Sequence, residues 1–573
     1  MIKYDICIIG AGQSGLTTCK TFSETNKKII VLEKCYNCNG MFSNIKEKDY
    51  FKWSSSRYVS GFSDFPMDKT LGTWFSIQDY IDYLNNYKTH FKLDKYIQYG
   101  ATVEKCDQND QEMWIVNYKL NNINYKLISK KLIVCTGLNN YQKIPDIVDN
   151  FKGTIYHTQD IYYMDKYQWK EKFYGKKILL IGGAESAFDI GHILVNNNSD
   201  LYYTTKNYIE WFPRGDETEE NVKKMEKVGD KCVTRLLSGD GGESTDMNLN
   251  YIEYSLPEPM SAIWNEYGRV FFQYGANLYM KIFHHDTEHC DFNMCFHKHK
   301  KLCNMTETPN NLFKKYVVKR TEFLIDIYDN KVNLIKFPNN IQGNIVETEN
   351  DTIKNVDIII CATGYRKKFP FLDKKYTDDE FIKKIIPKNT NNLAFIGFAR
   401  PTMGSIAAIA EMQSWWVNEY FYNNLNYQIR KPFLRNIDPL NLENDHINTI
   451  VIGCFYLKDL AKDMNLEPNM IYLLFTNYDL FTTILSNSCH PMIYRIHGKK
   501  RRPESEKILL DTWPTFEKKA FVMKYYLFFF VILHLVYYIT ILLIFYLIYS
   551  YRKNIFKLYK KISKYYKKSC KSF

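Results

Sequence analysis

The chain has 573 residues, with 76 Lys and Arg against 63 Asp and Glu, and a formal net charge of +13. With 45% hydrophobic and 24% charged residues it has the apolar side chains for a large core, which excludes a disordered or fibrous protein. At roughly 150 residues per domain the length predicts about three or four structural units. A basic chain suits nucleic acid or an anionic membrane as partner, so the location of the charge matters more than its total.

The N-terminus and the cysteines predict an intracellular protein. The chain opens with Met-Ile-Lys-Tyr-Asp-Ile-Cys-Ile-Ile-Gly, which is the pattern of a buried strand and lacks the regions of a secretory signal. The 14 cysteines are scattered rather than densely spaced. This arrangement is typical of reduced thiols and not of a disulfide framework.

The first recognisable unit is a βαβ pattern with a glycine-rich turn. A strand at 4–9, a helix at about 15–23 and a strand at 28–32 enclose the sequence Gly10-Ala-Gly12-Gln-Ser-Gly15. Glycines at this spacing allow a tight turn and close approach of a pyrophosphate to the helix N-terminus. Glu33 follows the second strand, where a carboxylate accepts ribose hydroxyls. The pattern predicts a dinucleotide site, and the alternative is a purely structural turn.

A second βαβ pattern follows, with a strand at 176–181, a helix to about 195 and a strand at 200–203. Its turn reads Gly182-Gly183-Ala184-Glu-Ser186-Ala, with Ala184 in place of the middle glycine. Thr204-Thr205-Lys206 follows the second strand instead of an acid. A cation there suits a 2′-phosphate and favours NADPH over NADH, the alternative being an ordinary surface lysine.

Two further apolar stretches are predicted to be strands. Residues 132–137 end in Cys-Thr-Gly and 356–361 lead into Ala-Thr-Gly-Tyr, and both are interpreted as leading into the crossovers of a flavoprotein domain. Between about 217 and 314 the chain has no strong periodicity and reads as an irregular insertion.

Two cysteine-containing segments raise the question of a metal or redox site. His and Cys residues crowd 284–303, but their spacing matches no standard zinc pattern, so a solvated surface segment is favoured. Cys35 and Cys38 are spaced like a redox pair, yet they lie in the loop after Glu33 and not at a strand–helix start. An ordinary loop is favoured there, and no metal site is predicted.

The stretch 525–551 carries no formal charge apart from a possible one on a histidine. As a helix it would be about 40 Å long, enough to cross a hydrocarbon core of about 30 Å. The tail 552–573 holds nine Lys and Arg and no acid, which is +9 of the net +13. The charge is therefore local, so a nucleic-acid partner loses its support and an anionic lipid surface gains some. Whether the segment spans the membrane or lies at its interface stays open.

Several motifs, in order along almost the whole chain, resemble the flavin-containing monooxygenases. Phe151-x-Gly153-x-x-x-His157 resembles the family's identifying sequence, except that its terminal aromatic falls on Ile161 with Tyr162 one residue later. The other matching segments are Phe62-Ser-Asp-Phe-Pro66, Ala362-Thr-Gly-Tyr365 with Phe369-Pro-Phe-Leu372, Phe395-Ile-Gly397, Gly404-Ser405, Glu411-Met-Gln413 and Ser488-Cys-His-Pro491 with Tyr494-Arg495.

The resemblance implies an NADPH- and O2-dependent enzyme that oxygenates soft nucleophilic N or S atoms of small molecules through a C4a-(hydro)peroxyflavin. Its cofactors would be FAD and NADPH, and its location would be an intracellular membrane, that of the endoplasmic reticulum, with the catalytic domain in the cytosol. Motifs and resemblance together assign cofactor binding to Gly10, Gly12, Gln13, Ser14, Gly15, Glu33, Gly40, Met41, Phe42, Thr136, Gly137, Gly182, Gly183, Ser186, Thr205, Lys206, Arg214, Thr363, Gly364, Gly404 and Gln413.

The chain departs from the family pattern beside the predicted flavin. The family's Asn falls on Ser54, the expected Gly-Gly-x-Trp reads Asn39-Gly40-Met41-Phe42, and the paired arginines read Lys206-Asn207 with Arg214 further on. A Ser hydroxyl is shorter than an Asn amide and offers one donor instead of two. Ser54 is the predicted catalytic residue, and its identity leaves an NADPH oxidase that releases peroxide as a rival. A non-catalytic membrane scaffold is a second rival.

The predicted fold is α/β, with two Rossmann-like dinucleotide-binding domains and a C-terminal membrane helix. The predicted FAD domain is split and encloses the NADPH domain. The boundaries are 1–165 and 330–445 for FAD, 166–329 for NADPH with the insertion at 217–314, 446–524 leading to the membrane, 525–551 for the anchor and 552–573 for the tail.

Overall fold

A computed structural model describes residues 2–72, 74–206, 209–211, 316–318, 322–377, 380–401, 404–427, 450–451, 453–486, 489–512, 538–547, 549–552, 554 and 556–562. The chain divides into two compact units, Met1–Trp513 and Pro514–Phe573. Arg214, the cluster at 284–303 and the insertion at 217–314 lie outside the described residues.

The strands described in the first unit are numbered in chain order. They are β1 (Ile2–Ile9), β2 (Ile29–Glu33), β3 (Ile97–Tyr99), β4 (Ala101–Gln108), β5 (Trp114–Leu120), β6 (Ile123–Val134), β7 (Tyr141–Gln142), β8 (Thr154–His157), β9 (Lys177–Ile181), β10 (Asp200–Thr204), β11 (Ile209–Trp211), β12 (Tyr316–Val318), β13 (Asn333–Leu334), β14 (Asn340–Gln342), β15 (Ile345–Glu347), β16 (Thr352–Ile353), β17 (Ile358–Cys361), β18 (Tyr365–Arg366), β19 (Phe381–Ile382), β20 (Ile386–Pro387), β21 (Leu393–Phe395), β22 (Arg400–Pro401) and β23 (Ile450–Val451).

The α-helices of the same unit surround these strands. They are α1 (Gln13–Ser23), α2 (Arg57–Ser60), α3 (Ile77–His90), α4 (Thr158–Tyr162), α5 (Lys166–Phe173), α6 (Glu185–Asn196), α7 (Glu322–Tyr328), α8 (Ile406–Tyr422), α9 (Gly453–Asp463), α10 (Met470–Thr476), α11 (Tyr478–Ser486) and α12 (Ser505–Thr512).

The first large sheet has the order β3-β2-β1-β6-β5-β4, with β21 also pairing to β6. The pairs β1–β2, β1–β6 and β6–β21 are parallel, whereas β4–β5 and β5–β6 are antiparallel. The carboxyl-terminal half of β1 is buried, as its apolar run predicts for a strand covered on both faces. Helix α1 packs against α8, where Thr21 Oγ1 lies 2.7 Å from Ser414 Oγ.

The second large sheet has the order β13-β10-β9-β17-β8, and its four pairings are all parallel. It contains β8, β13 and β17, which the predicted boundaries assign to the two FAD segments. The predicted boundaries at 165/166 and 329/330 therefore divide the strands of this sheet between the predicted FAD and NADPH segments. Parallel pairing joins strands that are distant in the chain, so an apolar strand pattern does not reveal which sheet the strand enters.

A short ribbon connects the two sheets. Strands β7 and β18 pair antiparallel. In the chain, β7 is the next strand after β6 of the first sheet, and β18 is the next strand after β17 of the second sheet. The ring of His157, the last residue of β8, lies next to this ribbon, with Nε2 2.8 Å from Gly364 O. Lys143 N also donates to Gly364 O at 2.9 Å. Two crossovers are thus fixed to each other between the sheets.

The second unit contains one described helix that is long and apolar enough to cross a membrane. It spans Tyr538–Ile562, with a mean hydropathy of 1.2 over its most apolar window and none of that window buried. The helix continues past the predicted anchor end at 551 into the predicted tail. Lys and Arg are good helix formers, so basic residues do not end a helix.

Gly153 provides a test of the fold. A Cβ at this position would lie 2.5 Å from Asp357 O and 2.5 Å from Phe151 Cζ. We expect Gly153→Ala to cost about 1–3 kcal/mol of stability, because backbone or a buried ring must move. The measurement is the thermal unfolding midpoint. The control is Gly72→Ala, whose Cβ would lie 3.4 Å from its nearest contact, Trp74 O, and should change little. Equal midpoints for the two variants would contradict this account.

Candidate active site

The first glycine turn joins β1 to α1 and is closed on one side by protein backbone. Gly10 has φ +97°, and a Cβ there would lie 2.7 Å from Cys135 O. A Cβ on Gly15 would lie 1.9 Å from Gly10 O. Gly12 differs, since its Cβ would meet only Gly40 Cα, at 3.5 Å. Gly12 also caps α1 without a side-chain hydrogen bond, so the helix N-terminus keeps its amide groups for an anionic ligand.

Glu33 fixes this turn to the end of β2. Its Oε2 accepts from Ala11 N at 2.6 Å and its Oε1 accepts from Cys35 N at 2.8 Å. The residue is only 4% exposed. Each carboxylate oxygen has a further lone pair, so Glu33 can still accept a ribose hydroxyl while it holds the turn.

The loop after β2 faces the same turn. Gly40 has φ +56°, and Asn39 Oδ1 is buried and has no hydrogen-bond partner. A buried acceptor of this kind needs a donor, which a dinucleotide with hydroxyl and amide groups supplies. The residues around the turn therefore fit FAD. Met41 is exposed, and its Sδ lies 3.6 Å from Asn139 Nδ2 in the loop after β6.

Aromatic side chains hold the segment that contains Ser54. Phe42 packs at 5.0 Å against Trp53, which stacks on Tyr80 with ring centroids 4.0 Å apart. Tyr80 OH donates to Gln13 Oε1 at 2.7 Å, which ties this cluster to the first turn of α1. The predicted replacement of the family Trp by Phe42 thus keeps an aromatic packing surface.

Ser54 itself is exposed between two fixed neighbours. Trp53 N donates to Phe75 O at 2.8 Å, and Ser55 Oγ donates to Gly404 O at 3.0 Å. Gly404 has φ +101° with open space around its Cβ position, so backbone conformation requires the glycine there. The structure therefore places Gly404 against Ser55, the next residue after Ser54. Ser55 and Asn39 were missed, because an isolated Ser or Asn in a loop carries no periodic signal.

Gln413, on α8, supports the backbone of Gly397. It is fully buried, its Oε1 accepts from Gly397 N at 2.8 Å and its Nε2 donates to Tyr456 OH at 2.8 Å. Its amide supports Gly397, whose missing Cβ leaves room for Ser14. Gln413 thus supports the segment against which Ser14 packs, and its contact with a cofactor stays a prediction. Ser14 in turn is buried against Gly397, so only its backbone remains for a ligand.

Thr136 and Gly137 follow β6 beside Gly10. The Asn140 amide donates to Thr136 O and, at 3.2 Å, to Gly137 O. Cys135 N donates to Ile9 O at 2.8 Å, so these residues adjoin the first turn.

The second glycine turn repeats this construction at the second sheet. Gly182 has φ +132°, and a Cβ there would lie 2.3 Å from Ala362 O. Ala184 caps α6 without a side-chain hydrogen bond, so this helix N-terminus also keeps its amide groups. Thr363 and Gly364 come directly after Ala362, and Thr363 Oγ1 donates to Lys143 O. The Ala-Thr-Gly segment therefore ends a strand of the second sheet, beside the second turn.

The other residues predicted for the second site differ in exposure. Thr205 is buried and Lys206 is exposed directly after β10. Tyr162 lies over the start of α6 and donates to Asp189 Oδ2 at 3.0 Å, and Ser186 is a further hydrogen-bond partner. Burial raises the pKa of Tyr162, so its hydroxyl stays a neutral donor. Gly183 and Ser186 lie at the turn as predicted.

The loop after β2 holds the two cysteines that are spaced like a redox pair. Cys35 and Cys38 are both free, and Cys38 Sγ lies 3.3 Å from Tyr99 OH. Burial raises the pKa of Cys38 to about 11, which keeps a protonated and unreactive thiol. Among the described residues no group of three His, Cys, Asp or Glu could hold a metal ion.

A model of the flavin-binding monooxygenase-like family matches residues 3–212 and 292–550. The chain therefore belongs to this family, and the fold and both glycine turns agree with it. It is an NADPH-dependent flavin monooxygenase whose cofactors are FAD and NADPH.

Named relatives cover nearly the whole chain. A 4-hydroxybenzoate brominase (decarboxylating) of Marinomonas mediterranea is 25% identical over 90% of this chain and 95% of its own length. Flavin-containing monooxygenase 5 of Mus musculus is 23% identical over 89% of this chain and 92% of its own. The solved S-allyl-L-cysteine S-oxygenase of Allium sativum has the same fold, with a TM-score of 0.51 and 14% identity over 89% of this chain and 99% of that one.

Glu33 tests the first glycine turn. We expect Glu33→Gln to weaken FAD binding about tenfold, because an amide leaves one of the two backbone N–H groups without an acceptor and lacks the carboxylate charge. The measurement is FAD titration of apoprotein by flavin fluorescence. The matched control is Glu104→Gln, which loses an exposed ion pair with Lys119. FAD affinity equal in the two variants would contradict the assignment.

Proposed function

We propose that the enzyme oxygenates soft nucleophilic N or S atoms of small molecules and that it works at a membrane. The exposed position of Ser54 supports this proposal most directly. Ser54 lies between the aromatic cluster at Trp53 and the Ser55–Gly404 contact, at the edge of the proposed FAD site. When bound, FAD supplies the oxygen-activating chemistry with NADPH as reductant.

In this proposal the protein positions groups and excludes water. The Ser54 hydroxyl offers a hydrogen bond to the reacting region, while Phe42, Trp53 and Tyr80 make that side apolar. The first sheet, with Gly10–Gly15, Glu33 and Gly40, holds FAD. The second sheet, with Gly182, Gly183, Ser186, Thr205 and Lys206, holds NADPH, and Arg214 is proposed as a further phosphate ligand.

The helix Tyr538–Ile562 supports a membrane attachment. Its apolar side chains are exposed, and Arg552 and the lysines after it provide the positive charge that anionic lipid headgroups attract. We propose an intracellular membrane, the endoplasmic reticulum, with the first unit on the cytosolic side.

The function is tested by the stoichiometry of the reaction. NADPH consumption, peroxide release and product are measured with an amine, a sulfide, and 4-hydroxybenzoate with bromide as acceptors. We expect at least one amine or sulfide to take up most of the oxygen, with peroxide well below NADPH. Peroxide equal to NADPH with every acceptor would contradict the proposal.

The same assay distinguishes the oxidase rival, which is raised by the replacement of the family's Asn by the shorter Ser54. If the shorter serine makes the enzyme leak peroxide, Ser54→Asn should lower the peroxide share in every assay. Bromination in preference to N or S oxygenation would instead identify bromide as the nucleophile.

Lys206 tests the nicotinamide site. We expect Lys206→Ala to raise the KM for NADPH about two- to tenfold and to leave the KM for NADH unchanged, because only NADPH carries the 2′-phosphate. Steady-state kinetics with both cofactors give the comparison. Lys170→Ala, which removes an exposed lysine on α5, is the control. An equal change in the KM values for NADPH and NADH would show that Lys206 does not bind the 2′-phosphate.

A further inference from the structure

The segment from Cys489 to Arg495 resembles a family motif that the cofactor sites do not explain. In the structure it lies against residues 61–64, a few residues after Ser54. His490 Nε2 lies 2.9 Å from Gly61 O, and His490 Nδ1 accepts from Met492 N at 3.2 Å. Burial lowers the pKa of His490 to about 4, so the neutral ring donates through Nε2 to Gly61.

Arg495 makes the second and larger contact with the same loop. Its Nη2 lies 2.9 Å from Glu411 Oε1 and 3.2 Å from Asp64 Oδ2, and its Nε donates to Ser63 Oγ. The guanidinium also lies over the Trp415 ring, 4.4 Å from its centroid. The side chains of Arg495, Asp64 and Glu411 are 3%, 1% and 1% exposed. This is a fully enclosed ionic contact.

The buried charges balance. Lys20 Nζ pairs with Asp64, so two cations face the two carboxylates of Asp64 and Glu411. Burial alone would raise the pKa of Asp64, but Arg495 and Lys20 outweigh burial and hold that pKa below its usual range. Burial raises the pKa of Glu411, and Arg495 opposes that rise. Removing either cation would leave an uncompensated buried carboxylate, which is strongly unfavourable.

We call these four residues, Arg495, Glu411, Asp64 and Lys20, the buried charge cluster. The other charged or titratable groups that face it are Glu24 and Arg502 at its rim, Lys500 beside Trp415, and the buried Tyr83 and Tyr87. Burial raises the pKa of both tyrosines well above the usual value, so they stay neutral.

The buried charge cluster connects to Ser54 through helix α8. Ser55 Oγ donates to Gly404 O just before α8, and Glu411 within α8 accepts from Ser63 N at 2.9 Å and from Ser63 Oγ at 2.5 Å. The loop around Ser54 is therefore tied to α8 at two points. Arg495 contacts both partners of the second of these contacts, Ser63 in the loop and Glu411 in α8.

We propose that Arg495 is a positioning residue that holds the Ser54 loop on α8 and thereby limits the release of peroxide. The part that concerns peroxide rests on the proposed oxygenase function. The C-terminal motif then has a role in the reaction, although His490 and Arg495 contact residues 61–64 and α8 rather than the glycine turns.

The test compares four full-length variants with the wild type. Arg495→Met removes the contact and unbalances the charge, and Arg495→Met with Glu411→Gln removes the contact but restores the balance. Arg495→Lys keeps the charge and is the conservative rescue. Arg501→Met is the control, because it removes an exposed cation a few residues after Arg495.

Two readouts are taken at equal FAD content. We expect the share of NADPH electrons released as peroxide to rise about fivefold in Arg495→Met and in the double variant, less in Arg495→Lys, and not in Arg501→Met. Iodide quenching of flavin fluorescence should rise in the same order. This readout requires no oxygenation, so it tests Arg495 even if the wild type proves to be an oxidase.

A pH series separates the charge from the contact. Arg495 opposes the rise that burial causes in the pKa of Glu411, so without Arg495 that pKa rises further. Stability should therefore fall as pH rises above the ordinary glutamate value of about 4.3, because the unpaired buried carboxylate must then ionise. The thermal midpoint of Arg495→Met should follow this trend relative to wild type, and the double variant should not. Unchanged iodide quenching and peroxide share in the double variant would overturn the proposal. If Arg495→Met fails to fold and the double variant folds, the double variant decides whether the proposal holds.

Discussion

At each glycine turn, a backbone carbonyl occupies the space that a side chain would need. Cys135 O faces Gly10 and Ala362 O faces Gly182, at 2.7 and 2.3 Å from the missing Cβ atoms. These carbonyls belong to the residues directly after β6 and β17, the strands from which the chain crosses between the sheets. The same close approach thus builds the two nucleotide turns and places the β7–β18 ribbon beside them. Any larger residue at Gly10 or Gly182 would push the glycine turn away from the end of the neighbouring strand and from the crossover that follows it.

Around this backbone frame, the reactive side of the first site depends on side-chain contacts from distant parts of the chain. Helix α3 supplies Tyr80, helix α8 is preceded by Gly404, and the C-terminal segment supplies His490 and Arg495. The loop that contains Ser54 is therefore held by an aromatic cluster on one side and by buried ionic contacts on the other. Buried ion pairs add little net stability, but they fix geometry strongly because each partner is costly to leave alone.

The sequence predicted the parts of the molecule that local patterns encode. Both βαβ units, Glu33 and the glycine spacing were visible because period, turn chemistry and helix start agree at those positions. The membership of β8, β13 and β17 in the second sheet was not visible, since parallel pairing is set by tertiary packing. The contact of Gln413 with Gly397 was not visible either, because a motif letter does not say which way an amide points. Ser55, Asn39 and the partners of Arg495 required coordinates.

The central claim, oxygen transfer to a soft nucleophile, is tested most directly by supplying 18O2 with NADPH and a sulfide and analysing the product by mass spectrometry. The account predicts a sulfoxide that carries one 18O atom, formed in proportion to the NADPH consumed. Unlabelled or absent sulfoxide, with the label recovered as hydrogen peroxide, would contradict it.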